Sequence, residues 1–470
     1  MKRHSLITII GFLIIALVTI SVYAETKPTN IIIIFTDDQG YQDLGVFGAE
    51  KIKTPNIDQM ARDGMRFTHF YAAASVCTPS RASLLTGCYP ERVGNLGVLF
   101  PKMKRGLNPK EATIAEILKS KGYATACIGK WHLGHLPEFL PTAQGFDTYF
   151  GIPYSNDMTI AEGMQLDKNI VLRNGITEKN IWKPVRNHVP LMRGTRVIEY
   201  PADQSTLTKR YTEEAVAFIK QNRDKPFFIY MPHTMPHIPL YASPKFEGKS
   251  DAGLYGDCIE EIDWSVGQIR KQLAELELTG NTLIIYTSDN GPWHFKQNAT
   301  DKVKGNKNRK IGGSAKPLRG YKFEHWEGSM REPTVMCWPG QIPQDKTCAE
   351  LASTIDLLPT IAAITGAPLP EKKIDGASIL PLMQGQENAK SPHSAFFYRT
   401  HGVRTDRWKL IKPNPKAKAF ALYDLSTDIS EKTDVSKQHP EIVKQLTGLL
   451  DNHIAELETN KRPPGSAPNK

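Results

Sequence analysis

Cysteine is scarce in this 470-residue chain, with six residues at positions 77, 88, 127, 258, 337 and 348. That is too few for a disulfide-held scaffold, and the absence of any Cys-x-x-Cys pair removes the usual sign of a structural zinc site. No cysteine follows the amino-terminal apolar stretch where a lipid anchor would attach, and no internal repeat is present, which excludes solenoid and propeller architectures. Acidic side chains are in deficit, 49 against 59 basic ones, for a net charge of +10. The apolar stretch at 6–22 falls just short of the roughly 20 residues that span a bilayer. It lies between Lys2-Arg3 and Val22-Tyr23-Ala24, which reads as a signal peptide over 1–24, with an uncleaved anchor as the alternative. Its removal takes two basic residues and no acid and leaves +8. A basic exported chain favours anionic partners, among which export disfavours nucleic acid and leaves membrane surfaces and acidic polysaccharides.

A hydrophobic content of 40% is ordinary for a globular core, and the length fits one large domain with a smaller appendage. Asn30-Ile31-Ile32-Ile33-Ile34-Phe35 is a continuous β-branched run, as expected of a strand buried on both faces. Further strands are predicted at 123–128, 226–231 and 282–287, and helices from 56 to a stop at Gly64, from 113 to Gly122, at 211–221 and at 258–276. Strand and helix alternate, the signature of a layered α/β fold, in which ligands sit beyond the carboxyl ends of the strands. Two stretches break the pattern, 157–208 and 296–316, and both read as surface insertions. After about 375 the chain changes to short strands at 395–399, 402–411 and 421–425 with a closing helix at 440–457, which predicts a C-terminal subdomain over 376–470 after a main domain over 25–375.

Several polar clusters follow those strands. In Ser75-Val76-Cys77-Thr78-Pro79-Ser80-Arg81-Ala82-Ser83-Leu84-Leu85-Thr86-Gly87, Pro79 suits the first turn of a helix, which leaves Cys77 at the helix's amino end, where free N–H groups attract anions. Read alone, this is a buried cysteine or a thiolate nucleophile of lowered pKa. Asp37-Asp38 and Asp289-Asn290 end two strands and bring three carboxylates and an amide without histidine or cysteine, a hard-oxygen set suited to calcium and less to magnesium, although such pairs also cap turns. Gly129-Lys130-Trp131-His132-Leu133-Gly134 follows another strand, and Met231-Pro232-His233-Thr234-Met235-Pro236-His237-Ile238-Pro239 a further one.

On these segments the chain resembles the type I, formylglycine-dependent sulfatases, the group of arylsulfatase A, the N-acetylgalactosamine-6-sulfatases and bacterial polysaccharide sulfatases. The C-x-P-S-R run at Cys77, the Gly-Lys-Trp-His-Leu-Gly segment and Leu318-Arg319-Gly320-Tyr321-Lys322 through Glu327-Gly328-Ser329-Met330-Arg331-Glu332-Pro333 carry the likeness, with Ser329 and His325-Trp326 as departures from the family pattern. The resemblance extends from Asn30 to the segments at 404–410 and 422–425. It implies an alkaline-phosphatase-like α/β/α sandwich with a mainly parallel sheet and a smaller C-terminal α+β subdomain. It also implies that a formylglycine-generating or sulfatase-maturating enzyme oxidises Cys77 to an aldehyde whose hydrate attacks sulfur, the second hydroxyl then expelling sulfate.

By the same resemblance Asp37, Asp38, Asp289 and Asn290, with the modified Cys77, hold one Ca2+. Lys130, Lys322 and Arg81 hold the sulfate, His132 takes a proton as the sulfated diol collapses, and His237 protonates the leaving alcohol. Ser155, in Ile152-Pro153-Tyr154-Ser155-Asn156-Asp157, and His233 are substrate-facing candidates, while Glu327 and Arg331 look structural. The choice of Lys322 over Lys316 rests on the register to Glu327. Together these imply a periplasmic or secreted sulfuric ester hydrolase of a sulfated carbohydrate, such as a marine galactan like carrageenan, with no stable membrane anchor after signal cleavage. The positive Lys302, Lys304, Lys307, Arg309 and Lys310 would favour such a polymer or form a solvated charge run. Trp182, Trp293 and Trp326 offer surfaces for sugar rings or for the core. A phosphoester or phosphonate hydrolase of the same superfamily and a non-catalytic glycan-binding protein are the competing readings.

Overall fold

The computed structural model describes residues 28–94, 96–293, 312–412, 417 and 419–467. The expected signal peptide and the Lys302–Lys310 cluster lie outside them.

Five parallel strands form the middle of an eleven-stranded sheet, in the order Thr282–Ser288, Asn30–Thr36, Phe227–Pro232, Ala124–Ile128, Thr148–Gly151. The isoleucine run explains why this sheet is central. Alternate side chains point to opposite faces, so Ile31, Ile33 and Phe35 enter one core with Leu84 and Leu85 of helix Cys77–Thr86 and Ile361 of helix Leu357–Thr365. Ile32 and Ile34 enter the other, with Ile57 of helix Pro55–Arg62, Ile219 of Leu207–Gln221 and Ile262 of Gly253–Glu275. The sheet is thus covered by helices on both sides, the layered arrangement expected from the alternation.

One region corrects the sequence reading. Within 157–208, Leu166–Leu172, Leu191–Arg193 and Arg196–Tyr200 are strands that extend the sheet beyond Thr148–Gly151. The outermost, Leu-Asp-Lys-Asn-Ile-Val-Leu, has little buried surface and hence no apolar period to reveal it.

The C-terminal chain forms a four-stranded antiparallel sheet from Phe396–Phe397, Gly402–Arg404, Trp408–Ile411 and Ala421–Asp424. Helix Pro440–Asn460 covers it through a small core of Val403, Leu410, Leu422, Leu446 and Leu450. A buried charge knot ties this unit to the main body. Glu327 accepts from Tyr71 at 2.6 Å and from Lys409 at 3.2 Å, and lies 3.4 Å from Arg331. Burial would raise its carboxyl, but Lys409, Arg404 and Arg331 outweigh it and hold the group well below the usual carboxylate range. Glu327 and Arg331 are therefore structural, and they anchor the segment that carries Lys322.

Candidate active site

Each of the five parallel strands delivers polar residues from its carboxyl end: Asp37 and Asp38 after Thr36, Asp289 and Asn290 after Ser288, His233 and His237 after Pro232, Lys130 and His132 after Ile128, and Ser155 and Asn156 shortly after Gly151. Opposite them, Cys77 opens helix Cys77–Thr86, with Pro79 in its first turn and the thiol almost fully buried. The crowding is achieved with strained backbone, since Asp38 and His132 both adopt left-handed φ, +65° and +58°. Gly129, at φ +134°, must be glycine, because a Cβ there would meet the Pro232 carbonyl oxygen at 1.9 Å.

Three buried carboxylates meet three buried cations. Lys130 Nζ donates to Asp37 Oδ2 at 2.5 Å, Arg81 donates to Asp289 Oδ2 at 2.8 Å and lies 3.4 Å from Asp37, and Lys322 Nζ lies 2.7 Å from Asp38 Oδ1. Asn290 Nδ2 donates to Asp38 Oδ1 at 2.7 Å, and the Asp38 backbone N–H donates to Asp289 Oδ1 at 3.2 Å. Burial would raise Asp37, but Lys130 above all, with Arg81 and Lys322, holds it well below the carboxylate range. Asp38 and Asp289 go the other way: burial, with repulsion from Asp37, pushes both up despite Lys322 and Arg81.

A cluster in which two of three carboxylates are driven toward neutrality is short of positive charge. The oxygens to receive it are present, for Asp37 Oδ1 and Asn290 Oδ1 are buried without a partner. Asp37, Asp38 and His237 also each offer a ligating atom within 4.8 Å of one another. The oxygen-rich donor set fits a hard cation such as calcium.

Beside the carboxylates runs a hydrogen-bonded chain. Lys130 Nζ donates to Ser155 Oγ at 3.2 Å, and Ser155 Oγ lies 3.1 Å from His237 Nε2. His237 Nδ1 faces two acceptors, Asn156 Oδ1 at 2.8 Å and the Ile238 carbonyl at 2.5 Å. That pairing assigns the Nδ1–H tautomer and leaves Nε2, 3.7 Å from Asp38 Oδ2, to accept. Asn156 also donates to the carbonyls of His237 and Pro239 at 3.2 and 2.9 Å, so it fixes both ring and loop. Burial, followed by Lys322, pushes His237 well below its ordinary pKa, and burial with Lys130 does the same to His132. His132 Nε2 lies 2.9 Å from the Leu99 carbonyl and its buried Nδ1 has no partner, which leaves that nitrogen for a ligand.

Most of the sequence-predicted residues converge here. Lys322, and not the exposed Lys316, reaches Asp38. Of the two histidines after Pro232, His237 joins the cluster; His233 is buried against Tyr211, ring centroids 6.3 Å apart, with both ring nitrogens unpartnered. Asn156, not singled out from the sequence, is the residue that orients His237. Glu332, not singled out by any motif, is buried with both carboxylate oxygens unpartnered; burial raises it, and Asp289 and Asp38 add repulsion. Trp293 packs its ring 5.2 Å from that of His237 and lies 4.6 Å from Lys322 Nζ, so it borders the site. The His325-Trp326 departure from the family pattern is a packing solution: Arg319 lies 3.6 Å over the buried Trp326 ring, and His325 stacks on His401 at 4.0 Å.

The family model described as Sulfatase matches residues 29–367, and one described as N-sulphoglucosamine sulphohydrolase, C-terminal, matches 321–459. Arylsulfatase A of Homo sapiens is 39% identical over 464 residues, 91% of this chain and 88% of that protein. The N-acetylgalactosamine-6-O-sulfatase of Bacteroides thetaiotaomicron is 34% identical over 484 residues, 91% of this chain and 93% of that protein. Among solved structures, Ps i-CgsB in complex with k-i-k-neocarrahexaose aligns with a TM-score of 0.74 and 28% identity, over 91% of this chain and 92% of that one. The shared architecture is the alkaline-phosphatase-like sandwich with its C-terminal antiparallel sheet.

Proposed function

The chain belongs to the sulfatase family, and from that premise we propose that it hydrolyses sulfate esters of a sulfated carbohydrate, an anionic polysaccharide or its oligosaccharides, of which carrageenan is one candidate. The observation that carries this reading is the meeting of Lys130, Arg81 and Lys322 with Asp37, Asp38 and Asp289 in a buried cluster. Such a cluster, with a cation bound by its carboxylates, would have the charge to hold an anionic sulfuryl-transfer transition state away from water. The names of relatives that act on sulfated sugars support the carbohydrate, as does the net charge of +10.

Residue roles follow from the geometry. Lys130 and Lys322, the latter pressed against Asp38, grip sulfate oxygens, and Arg81 braces Asp289 and Asp37 beneath them. His237, held by Asn156 and contacted by Ser155, exchanges the proton of the alcohol. Protonating the leaving alcohol needs its cationic form, and the negative charge of an incoming sulfate draws its lowered pKa back up toward that form. His132, neutral and with one nitrogen free, is the base. Ser155 links Lys130 to His237, and His233, which packs against Tyr211, would support the loop that carries His237 or face the substrate. Formylglycine at position 77, made from Cys77 by a maturating enzyme, would supply the hydroxyl that displaces the alcohol from sulfur. Calcium held by Asp37, Asp38, Asp289, Asn290 and residue 77 would supply positive charge to the sulfate.

We further place the protein in the periplasm or outside the cell, with a catalytic domain over 25–375 and a C-terminal subdomain over 376–470. No helix among the described residues is long and apolar enough to cross a membrane. Sulfate release from defined sulfated oligosaccharides, with matched phosphate esters and Cys77→Ala as blank, tests the activity. Turnover of phosphate esters alone sinks it. A mass spectrum of the Cys77 peptide from the native source tests the aldehyde, and an intact thiol in active enzyme rejects it.

A further inference from the structure

The strands missed by the sequence reading carry a second cavity to the catalytic edge of the sheet. Arg196–Tyr200 pairs antiparallel with Leu191–Arg193, which pairs antiparallel with Thr148–Gly151. Arg196–Tyr200 therefore runs the same way as the five central strands, and Leu166–Leu172 pairs parallel with it. The carboxyl ends of both outer strands, at 173–174 and 201–204, consequently lie on the edge that holds Lys130 and His237.

Between these ends, the loop at 186–188 and Tyr241 lies a cavity of about 740 Å³, inside the roughly 300–1,000 Å³ range of sites that enclose small ligands. One layer of hydrogen bonds separates it from the site. Gln204, in its wall, donates to the carbonyls of Asn156 and Asn187, both at 3.0 Å, and Asn156 is the residue that holds His237. Tyr241 lies two residues beyond Pro239, whose carbonyl Asn156 also binds.

The charge of this cavity is unbalanced. Arg173 and Arg210 share a single carboxylate, Glu199, at 2.9 and 2.8 Å. Asp203, the acid in the lining, is committed to Ser205, accepting from its hydroxyl at 2.7 Å and its N–H at 3.3 Å. Arg186 is exposed and, among the described residues, has no carboxylate within ion-pair distance. His188 Nδ1 is buried without a partner.

We propose that this cavity is a subsite for a neighbouring anionic sugar of the glycan, with Arg186 and Arg173 binding its sulfate or carboxylate and His188 bonding a hydroxyl. The inference rests on the proposed carbohydrate sulfatase activity and adds a place for the sugar beside the one that loses its sulfate. An exposed arginine presents a planar pair of donors to such an anion, which lysine does not.

Two measurements on the full chain test it. First, Arg186→Glu and Arg186→Lys are compared with the parent on 4-nitrophenyl sulfate and on chondroitin 6-sulfate tetrasaccharide and neocarrahexaose. The charge reversal is expected to lower kcat/KM for whichever oligosaccharide is cleaved at least tenfold, mostly through KM, with Arg186→Lys intermediate and aryl sulfate turnover unchanged. Equal losses on both substrate classes, or none on the oligosaccharide, overturn the subsite. Second, binding of the same oligosaccharides and their desulfated forms to Cys77→Ala is titrated with and without Arg186→Glu, a readout independent of turnover. Sulfate-dependent binding lost with Arg186→Glu supports the subsite even if the parent cleaves only aryl sulfates, a result that would sink the carbohydrate activity alone. Binding of neither probe, or binding indifferent to Arg186, refutes it.

Discussion

Replacing Lys322 by methionine removes one of three cations from the buried cluster while keeping the volume of the side chain. Lys322 Nζ stands 2.7 Å from Asp38 Oδ1 and 3.0 Å from Oδ2, both side chains being 2% exposed. Its own pKa is held above the ordinary lysine value, because Asp38, Cys77, Asp37 and Asp289 outweigh the effect of burial. Breaking a buried pair by deleting one partner costs about 3–5 kcal/mol, since the remaining charge is left uncompensated. In chelator, Lys322→Met should therefore lose about that much unfolding free energy in urea.

A calcium ion at Asp37, Asp38, Asp289 and Asn290 would replace the missing charge, and a ligand at a hundred times its dissociation constant adds about 2.7 kcal/mol to the folded state. With one less cation to repel it, calcium should stabilise the variant more than the parent. Turnover should still fall about 10²–10³-fold, the usual loss when one oxyanion-stabilising contact is removed. Paired urea titrations in EDTA and in excess calcium, with sulfate release measured in parallel, give all three quantities. Equal stability of variant and parent in EDTA, together with equal calcium increments, would refute the picture of a cation-deficient carboxylate cluster.

Ser155→Ala should remove the contact between Lys130 and His237, lowering kcat by about ten- to a hundredfold and moving a limb of the pH–rate profile, with little change in the melting temperature; an unchanged pH profile argues against the relay. Gly129→Ala should cost about 3 kcal/mol or more, because its Cβ would collide with the Pro232 carbonyl at 1.9 Å and its φ of +134° disfavours any side chain; a urea midpoint equal to that of the parent would contradict this. His393 lies 2.6 Å from Asp356, and although burial opposes it, the carboxylate raises its pKa above the ordinary 6.5. Its contribution is complete below pH 6.5 and is lost as pH rises through the higher folded value, so the parent should lose more stability than His393→Gln between pH 6 and 9; parallel urea midpoints for the two would show that the pair is silent.

Much of the site was readable before any fold was known, and for identifiable reasons. Asp37-Asp38 and Asp289-Asn290 each end a strand and could cap a turn taken singly, but beside the Cys77 segment they pointed together to a hard-cation site. Asn156 did not stand out, since an Asn in Ser-Asn-Asp is ordinary turn chemistry and its bonds to His237 span 81 residues. The edge strand at 166–172 was invisible because an exposed edge imposes no apolar period. Glu332 lacked any signal, because its isolation is a property of what surrounds it.

The amino-acid sequence by itself determined the layered α/β plan, the strand ends that carry the chemistry and the cysteine at a helix start, because these depend on local periodicity and on residues adjacent in the chain. Only the tertiary structure decided that Lys322 rather than Lys316 meets Asp38, that His237 rather than His233 joins Ser155, and that a cationic cavity flanks them. Those choices depend on distances between segments up to 284 residues apart, set by packing on the two faces of one sheet.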